Sequence, residues 1–244
     1  MGDGVQVIAH RGASRAAPEN TVEAFAVAAR MGADAVELDV RRTRDGVLVV
    51  HHNPDLGDGR MICHVDAADL PPSVPAVDVA LDACSVAWVN VEIKNDPGEA
   101  DFDASESIAD QTMALLLARR DHERWVISSF RLQTVDRCRA IADEAGAPIR
   151  TAWLTSVVPD GVVDLLLARG HSALHPWVDL VRRDVIDECH AAGIAINTWT
   201  CDDPERMVEL AGWGIDGICT NVPDVALSVL GRVLGRVLGR DGPT

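Results

Sequence analysis

Short β-rich runs alternate with helical patterns from one end of the chain to the other, and this alternation restricts the fold more than any other feature. Strands are expected at residues 5–9, 35–40, 47–51, 87–93, 125–129, 150–154, 173–175, 194–199 and 217–220. Helical patterns fall at 21–30, 107–120, 132–145, 162–169, 182–192 and 204–213. Several of them end at a glycine: Gly32, Gly146, Gly170, Gly193 and Gly214. Repeated strand–helix–glycine units predict a parallel sheet with helices packed outside it.

Nine strands are one more than an eight-stranded α/β barrel needs. Asp45-Gly46, set between two apolar runs, is a hairpin signal. It predicts that 47–51 runs antiparallel to 35–40 and returns to the barrel mouth as an arm. Eight parallel strands remain, and the arm brings His51 and His52 back beside Glu37 and Asp39. No linker divides the 244 residues, so a single domain is expected over 1–244. The longest irregular stretch, 57–75, is rich in Gly, Pro and Asp and predicts a loop over the mouth. At the C-terminus a Leu-Gly-Arg repeat begins at Leu230, Leu234 and Leu238. It reads as a last barrel helix with a frayed tail, or alternatively as a small-residue contact with a partner chain.

A formal charge of −16 argues against nucleic acid and against anionic membrane surfaces as partners. An anionic substrate therefore has to be drawn in by a local positive field, such as a bound cation. No apolar run is long enough to span a bilayer, and no signal peptide precedes the first strand. The six cysteines show no CxxC spacing and read as buried thiols in a reducing compartment. The expectation is a cytoplasmic protein, monomer or homodimer, with no stable membrane anchor.

Chemistry-bearing residues gather at strand ends. Glu37 and Asp39 are two apart on one strand and face the same side, while Val36, Leu38 and Val40 face the helices. Glu92 and Lys94 repeat the pattern on another strand. Inward carboxylates are costly unless compensated. Three of them suit a hard divalent cation with oxygen ligands, Mg²⁺ or Ca²⁺. A structural ion network with Arg11 and Lys94 is the competing reading, but it leaves a carboxylate surplus. His10 ends the first strand, where barrel enzymes collect catalytic groups, and His51 and His52 both end the hairpin arm. Two histidines suit a pair in which one accepts a proton and the other donates one. Arg11 and Lys94 suit phosphate oxygens. Asn20 or Thr21 can cap the first helix, with Glu23 completing a capping box to Asn20. Glu19 and Asn20 are also candidates for substrate contact, since this turn lies at the mouth. Phe130 and Trp199 read as apolar walls, and His175 as structural.

These residues form a series: Ala9-His10-Arg11-Gly12; Pro18-Glu19-Asn20-Thr21 with Ala24-Phe25; Gly32-Ala33-Asp34 with Glu37-Leu38-Asp39-Val40; Thr43-Arg44-Asp45-Gly46 with Val49-Val50-His51-His52; Glu92-Ile93-Lys94; Ser128-Ser129-Phe130; Asn197-Thr198-Trp199-Thr200; and the run from Gly214 to Thr220. The series resembles the glycerophosphodiester phosphodiesterases, which are phosphatidylinositol-phospholipase-C-like TIM barrels. It covers residues 8–223. The resemblance implies a (β/α)8 barrel that hydrolyses glycerophosphodiesters to sn-glycerol 3-phosphate and an alcohol, within lipid and glycerol metabolism. It implies that Glu37, Asp39 and Glu92 hold one divalent cation. It also implies that His10 and His52, rather than His51, are the acid/base pair. Asn53 and Asn221 depart from the family's usual Asp at those places, and the stretch between His52 and Glu92 is short, which bears on substrate range. Two alternatives share the site: a lysophospholipase-D-like phosphodiesterase, and a non-catalytic barrel that binds phosphodiesters.

Overall fold

The computed structural model describes residues 4–231. Eight parallel strands close into a barrel: β1 (Gln6–His10), β2 (Ala35–Arg42), β4 (Trp88–Ile93), β5 (Trp125–Ser129), β6 (Arg150–Thr155), β7 (Ala173–Pro176), β8 (Ala195–Thr198) and β9 (Gly217–Thr220). Closure comes from β1, which pairs in parallel with β2 on one side and β9 on the other. β3 (Leu48–Val50) is the hairpin arm. It runs antiparallel to β2 with Val40 opposite Val50, and Gly46 supplies the positive φ of 85° that the tight turn requires.

Helices α1 (Val22–Met31), α2 (Val77–Ala83), α3 (Ser107–Leu117), α4 (Leu132–Glu144), α5 (Val162–Ala168), α6 (Arg183–Ala191), α7 (Pro204–Trp213) and α8 (Pro223–Val229) cover the barrel. Period-two alternation separates two cores. Val36, Leu38, Val40, Val89, Val91 and Ile93 face outward and pack under α1–α4 with Phe25, Leu81, Met113 and Leu116. Inside the barrel, Ile8, Ala35, Trp88, Val126, Ala152, Ala173 and Cys219 form a separate apolar layer. It plugs the lumen below the polar mouth. Gly217 belongs to that tight interior, since a Cβ there would stand 2.3 Å from Asn197 Oδ1.

Two helices differ from the sequence expectation. α2 follows directly on the irregular stretch, and only Val77, Ala80 and Leu81 anchor it. The last described helix, α8, starts earlier than the Leu-Gly-Arg repeat, with Pro223 in its first turn. The repeat beyond Gly231 lies outside the described residues. The stretch at 57–75 is irregular apart from two single 3-10 turns, Ile62–His64 and Ala67–Asp69. Among the described residues, no helix is long and apolar enough to cross a membrane. The described cysteines are free thiols.

Candidate active site

The β1–α1 connection shapes one side of the mouth. Arg11 (φ 57°) and Gly12 (φ 79°) both adopt the left-handed region, turning the chain sharply as it leaves β1. Gly12 has no substitute: a Cβ would lie 2.6 Å from the backbone carbon of Ala24. The turn aims the Arg11 amide at Glu37, whose Oε2 accepts it at 2.9 Å. A non-glycine residue in this region costs about 1 kcal/mol or more and is found where the surroundings impose it.

Thr21, not Asn20, caps α1, its hydroxyl oxygen accepting from the Ala24 amide. Asn20 is turned inward instead (φ 58°). Its Nδ2 donates to Asp39 Oδ2 at 2.7 Å, and its Oδ1 faces the Asp39 amide at 3.4 Å. Asn20 therefore reaches the site through Asp39 and does not line the cavity. Glu19 is exposed and pairs with Arg11 at 2.9 Å.

Strand register brings the carboxylates together. His10 lies beside Glu37, and Asp39 beside Glu92. Glu37, Asp39 and Glu92 are only 3%, 1% and 5% exposed. Each has an oxygen within 4.8 Å of the others, a grouping that could hold a metal ion. Lys94 Nζ stands 2.5 Å from Glu92 Oε1 and 3.0 Å from Asp39 Oδ1, and Arg11 Nε stands 3.2 Å from Asp39 Oδ2. Part of the structural ion network anticipated from the sequence is thus real, and so is its surplus. Three buried carboxylates face two cations, one of which is shared with Glu19. Glu37 Oε1 is buried with no hydrogen-bond donor at all. An acceptor-only oxygen left without a donor, in an all-oxygen triad with excess negative charge, fits a hard divalent cation.

The titration behaviour follows from this crowding. Burial raises the Glu37 carboxyl well above the ordinary range, and the charges of Asp39 and Glu92 push it further. Burial also raises Glu92, partly opposed by Lys94. For Asp39 burial works in the same direction, but Lys94 and Arg11 outweigh it and hold its pKa below the usual value. Burial works against the Lys94 ammonium, yet Glu92 and Asp39 keep its pKa above normal.

The two histidines come from different segments, His10 from the end of β1 and His52 from just past β3. His10 Nδ1 lies 2.7 Å from Asn221 Oδ1, and its Nε2 lies 4.0 Å from Glu37 Oε2. Asn221 in turn donates Nδ2 to Asp202 Oδ2 at 2.7 Å. His52 Nδ1 lies 2.8 Å from Asn53 Oδ1. Burial lowers both imidazoles, with Arg11 adding to it for His10 and Lys94 for His52. Both are therefore neutral at neutral pH, and each holds its Nδ1 against an amide oxygen, which leaves Nε2 as the free nitrogen. His51 is turned away: its Nδ1 donates to the Asn53 carbonyl, and it does not line the cavity.

His10, Arg11, Glu37, His52, Glu92 and Lys94 line one cavity of about 120 Å³, room for several water-sized groups. Phe130 and Trp199 form its apolar wall, edge to face at 5.1 Å. Asn90, His175 and Asn197 line the cavity beside Ile8, Leu154 and Cys219, with Asn197 Nδ2 donating to His175 Nε2 at 3.0 Å. Asn221, Asp202, Asn53 and Asn197 are the contributors whose partners the sequence did not reveal. Asn53 and Asn221 stood out only as departures from a family pattern.

The chain is matched over residues 10–225 by the family model of the glycerophosphoryl diester phosphodiesterase family. It is 28% identical to the glycerophosphodiester phosphodiesterase of Caldanaerobacter subterraneus subsp. tengcongensis, covering 92% of this chain and 97% of that one. Among solved structures it is similar to an Oleispira antarctica phosphodiesterase in complex with the product sn-glycerol-3-phosphate (TM-score 0.82, 22% identity, covering 93% and 97%). It is equally similar to a glycerophosphodiester phosphodiesterase from Parabacteroides distasonis (TM-score 0.82, 21% identity, covering 96% and 100%). These two likenesses concern the fold, a (β/α)8 barrel. With a match that spans the barrel from His10 to past its last strand, the chain belongs to the glycerophosphoryl diester phosphodiesterase family.

Proposed function

We propose that the chain hydrolyses glycerophosphodiesters to sn-glycerol 3-phosphate and an alcohol, with His10 and His52 transferring the protons and Glu37, Asp39 and Glu92 holding one divalent cation, Mg²⁺ or Ca²⁺. Glycerophosphodiester phosphodiesterase activity itself goes with the family. The observation that carries the finer reading is the cluster of three buried carboxylates, two of which, Glu37 and Glu92, line one cavity together with both imidazoles. The product seen in the Oleispira antarctica protein is the one this reaction yields.

A cation at the triad would supply positive charge to a phosphate oxygen where negative charge develops. Arg11 and Lys94 flank the triad and add to that field, Arg11 as a fork and Lys94 as a point charge. One imidazole takes a proton at Nε2 from the attacking hydroxyl. The other gives a proton from Nε2 to the departing alkoxide, which requires that ring to be the imidazolium, protonated at both nitrogens, in the reactive form. Asn221 and Asn53 hold the two rings in the required orientation. Phe130 and Trp199 cover the apolar side of the bound ester and keep water from it.

The deciding experiment is turnover of glycerophosphocholine and of lysophosphatidylcholine, side by side, before and after exhaustive chelation. The expected result is hydrolysis of glycerophosphocholine that is lost on chelation and restored by Mg²⁺ or Ca²⁺. Preference for the lysolipid would move the reading to a lysophospholipase-D-like enzyme. Full activity after chelation would remove the metal from it, and binding without turnover would leave a phosphodiester-binding barrel.

A further inference from the structure

Arg41 lies on β2 two residues beyond Asp39, so it continues the row Glu37, Asp39 on the same face of the strand. It is 1% exposed, which is unusual for an arginine. Its guanidinium has five N–H groups, and all five find acceptors. Nε donates to the His52 carbonyl at 2.8 Å, and Nη2 donates to the same oxygen at 2.5 Å. Nη2 also donates to Glu99 Oε1 at 3.0 Å. Nη1 donates to Glu99 Oε2 at 2.9 Å and to Asp101 Oδ2 at 2.6 Å.

Those acceptors come from two irregular segments. β3 ends at Val50, so His52 stands two residues past the last ladder position of the arm. Glu99 and Asp101 belong to the connection between β4 and α3. A buried guanidinium needs partners, and the two carboxylates alone would neutralise it. Spending Nε and an Nη2 proton on a neutral peptide oxygen adds nothing to charge balance. What it adds is placement. The carbonyl belongs to the residue whose imidazole faces the carboxylate triad, and the donor stands on the strand that carries two of those carboxylates.

We propose that Arg41 is a positioning residue that sets where the His52 imidazole stands relative to Glu37, Asp39 and Glu92. The proposal rests on the reading of His52 as a proton-transfer group. The strand supplies the rigid frame, and the fork of the guanidinium fixes the arm in two directions at once. Lysine cannot reproduce this, because one ammonium cannot hold the carbonyl from two sides and both carboxylates as well.

The test compares Arg41→Lys, Arg41→Met and His52→Ala in the full chain supplied with Mg²⁺, using glycerophosphocholine and measuring kcat and KM separately. Circular dichroism and thermal midpoints establish which variants are folded. Arg41→Met strands Glu99 and Asp101 without a cation, so where it does not fold, Arg41→Lys decides. The expected result is a folded Arg41→Lys protein whose kcat falls by about 10–100-fold while KM stays within about twofold, the size of effect that a misplaced catalytic group produces. A lowered thermal midpoint with unchanged kcat would make Arg41 a purely structural residue and overturn the proposal. If His52→Ala retained full turnover, the role assigned to His52 would fail first, and the proposal with it. Loss in His52→Ala beside full kcat in a folded Arg41→Lys would overturn the positioning role alone.

Discussion

His10 Nδ1 sits 2.7 Å from the side-chain oxygen of Asn221, across the seam where β1 meets β9. The amide cannot be turned round, because its Nδ2 donates to Asp202 at 2.7 Å and an ionised carboxylate only accepts. Ser14 Oγ donates to the same Asn221 oxygen at 2.9 Å. Asp202, Asn221 and His10 therefore form a relay that puts the imidazole proton on Nδ1 and leaves Nε2 toward Glu37. Asn221→Leu should lower kcat by about 10–100-fold through loss of ring orientation. Asp202→Asn, which lets the amide flip, should be milder. Unchanged kcat in Asn221→Leu, measured by steady-state kinetics, would remove the relay from the mechanism.

Alanine at His10 or at His52 should cost about 10²–10⁴-fold in turnover, the usual contribution of a proton-transfer group. Fold and metal affinity should survive. The double variant should lose less than the product of the two single losses, since groups acting in one step are not additive. His51→Ala should be mild, because that ring is bonded to the Asn53 carbonyl at 2.9 Å and stands outside the cavity. Equal damage from His51→Ala and His52→Ala would place the wrong imidazole in the reaction.

Metal binding should depend on pH. Burial, with Asp39 and Glu92 beside it, raises the Glu37 carboxyl well above the ordinary carboxylate range, so protons compete with a cation for it as pH falls. Affinity should therefore rise with pH until Glu37 is ionised. Calorimetric titration of Mg²⁺ or Ca²⁺ at a series of pH values should show affinity falling as the pH is lowered. Glu37→Gln should flatten that pH dependence and weaken binding by about 100-fold. Affinity independent of pH would contradict the coupling.

Acid should destabilise the fold partly through His175. This residue is 4% exposed and lines the cavity, and burial, aided by Arg150, lowers its pKa to about 3 from the ordinary 6.5. In the unfolded chain it takes up a proton below about 6.5, whereas in the folded chain it stays neutral down to about 3. The stability associated with this group is thus present above the unfolded pKa and is lost as pH falls toward the folded one, at up to about 1.4 kcal/mol per pH unit. His10, His52 and His171 are also lowered and act with the same sign. Urea midpoints between pH 7 and pH 5 should fall less steeply in His175→Gln than in the parent. Parallel slopes would show that His175 does not contribute.

Legibility differed from element to element for physical reasons. β5, β9 and α7 occur at the expected residues, because each combines a clear hydrophobic period with a boundary signal: Pro204 and Gly214 for α7, Gly217 for β9. The hairpin was readable from Asp45-Gly46, since few backbones other than a tight turn use that pair between apolar runs. α2 has no side-chain cap before it and no glycine after it, and α8 adjoins the Leu-Gly-Arg repeat, whose apolar stripe drew the helix reading past it. In the β1–α1 turn, Asn20 and Thr21 are equally good caps in one dimension. Asp39 decides between them by claiming the Asn20 amide.

By itself the sequence determined the inward row of Glu37, Asp39, Glu92 and Lys94, because strand alternation is a local property of the backbone. It determined the alternating architecture and the surplus of negative charge for the same reason: both are sums over neighbouring residues. Only the tertiary structure decided the environment of those groups. Barrel closure places Glu37 against Asp39 and Glu92 without a donor for its Oε1, sets Asn221 and Asp202 behind His10, and buries Arg41 against the His52 carbonyl. These contacts range from neighbours on one hairpin, such as Arg41 and His52, to His10 and Asn221 at opposite ends of the barrel sequence. The pKa of a carboxyl and the tautomer of an imidazole depend on distance and burial, which a one-dimensional pattern does not encode.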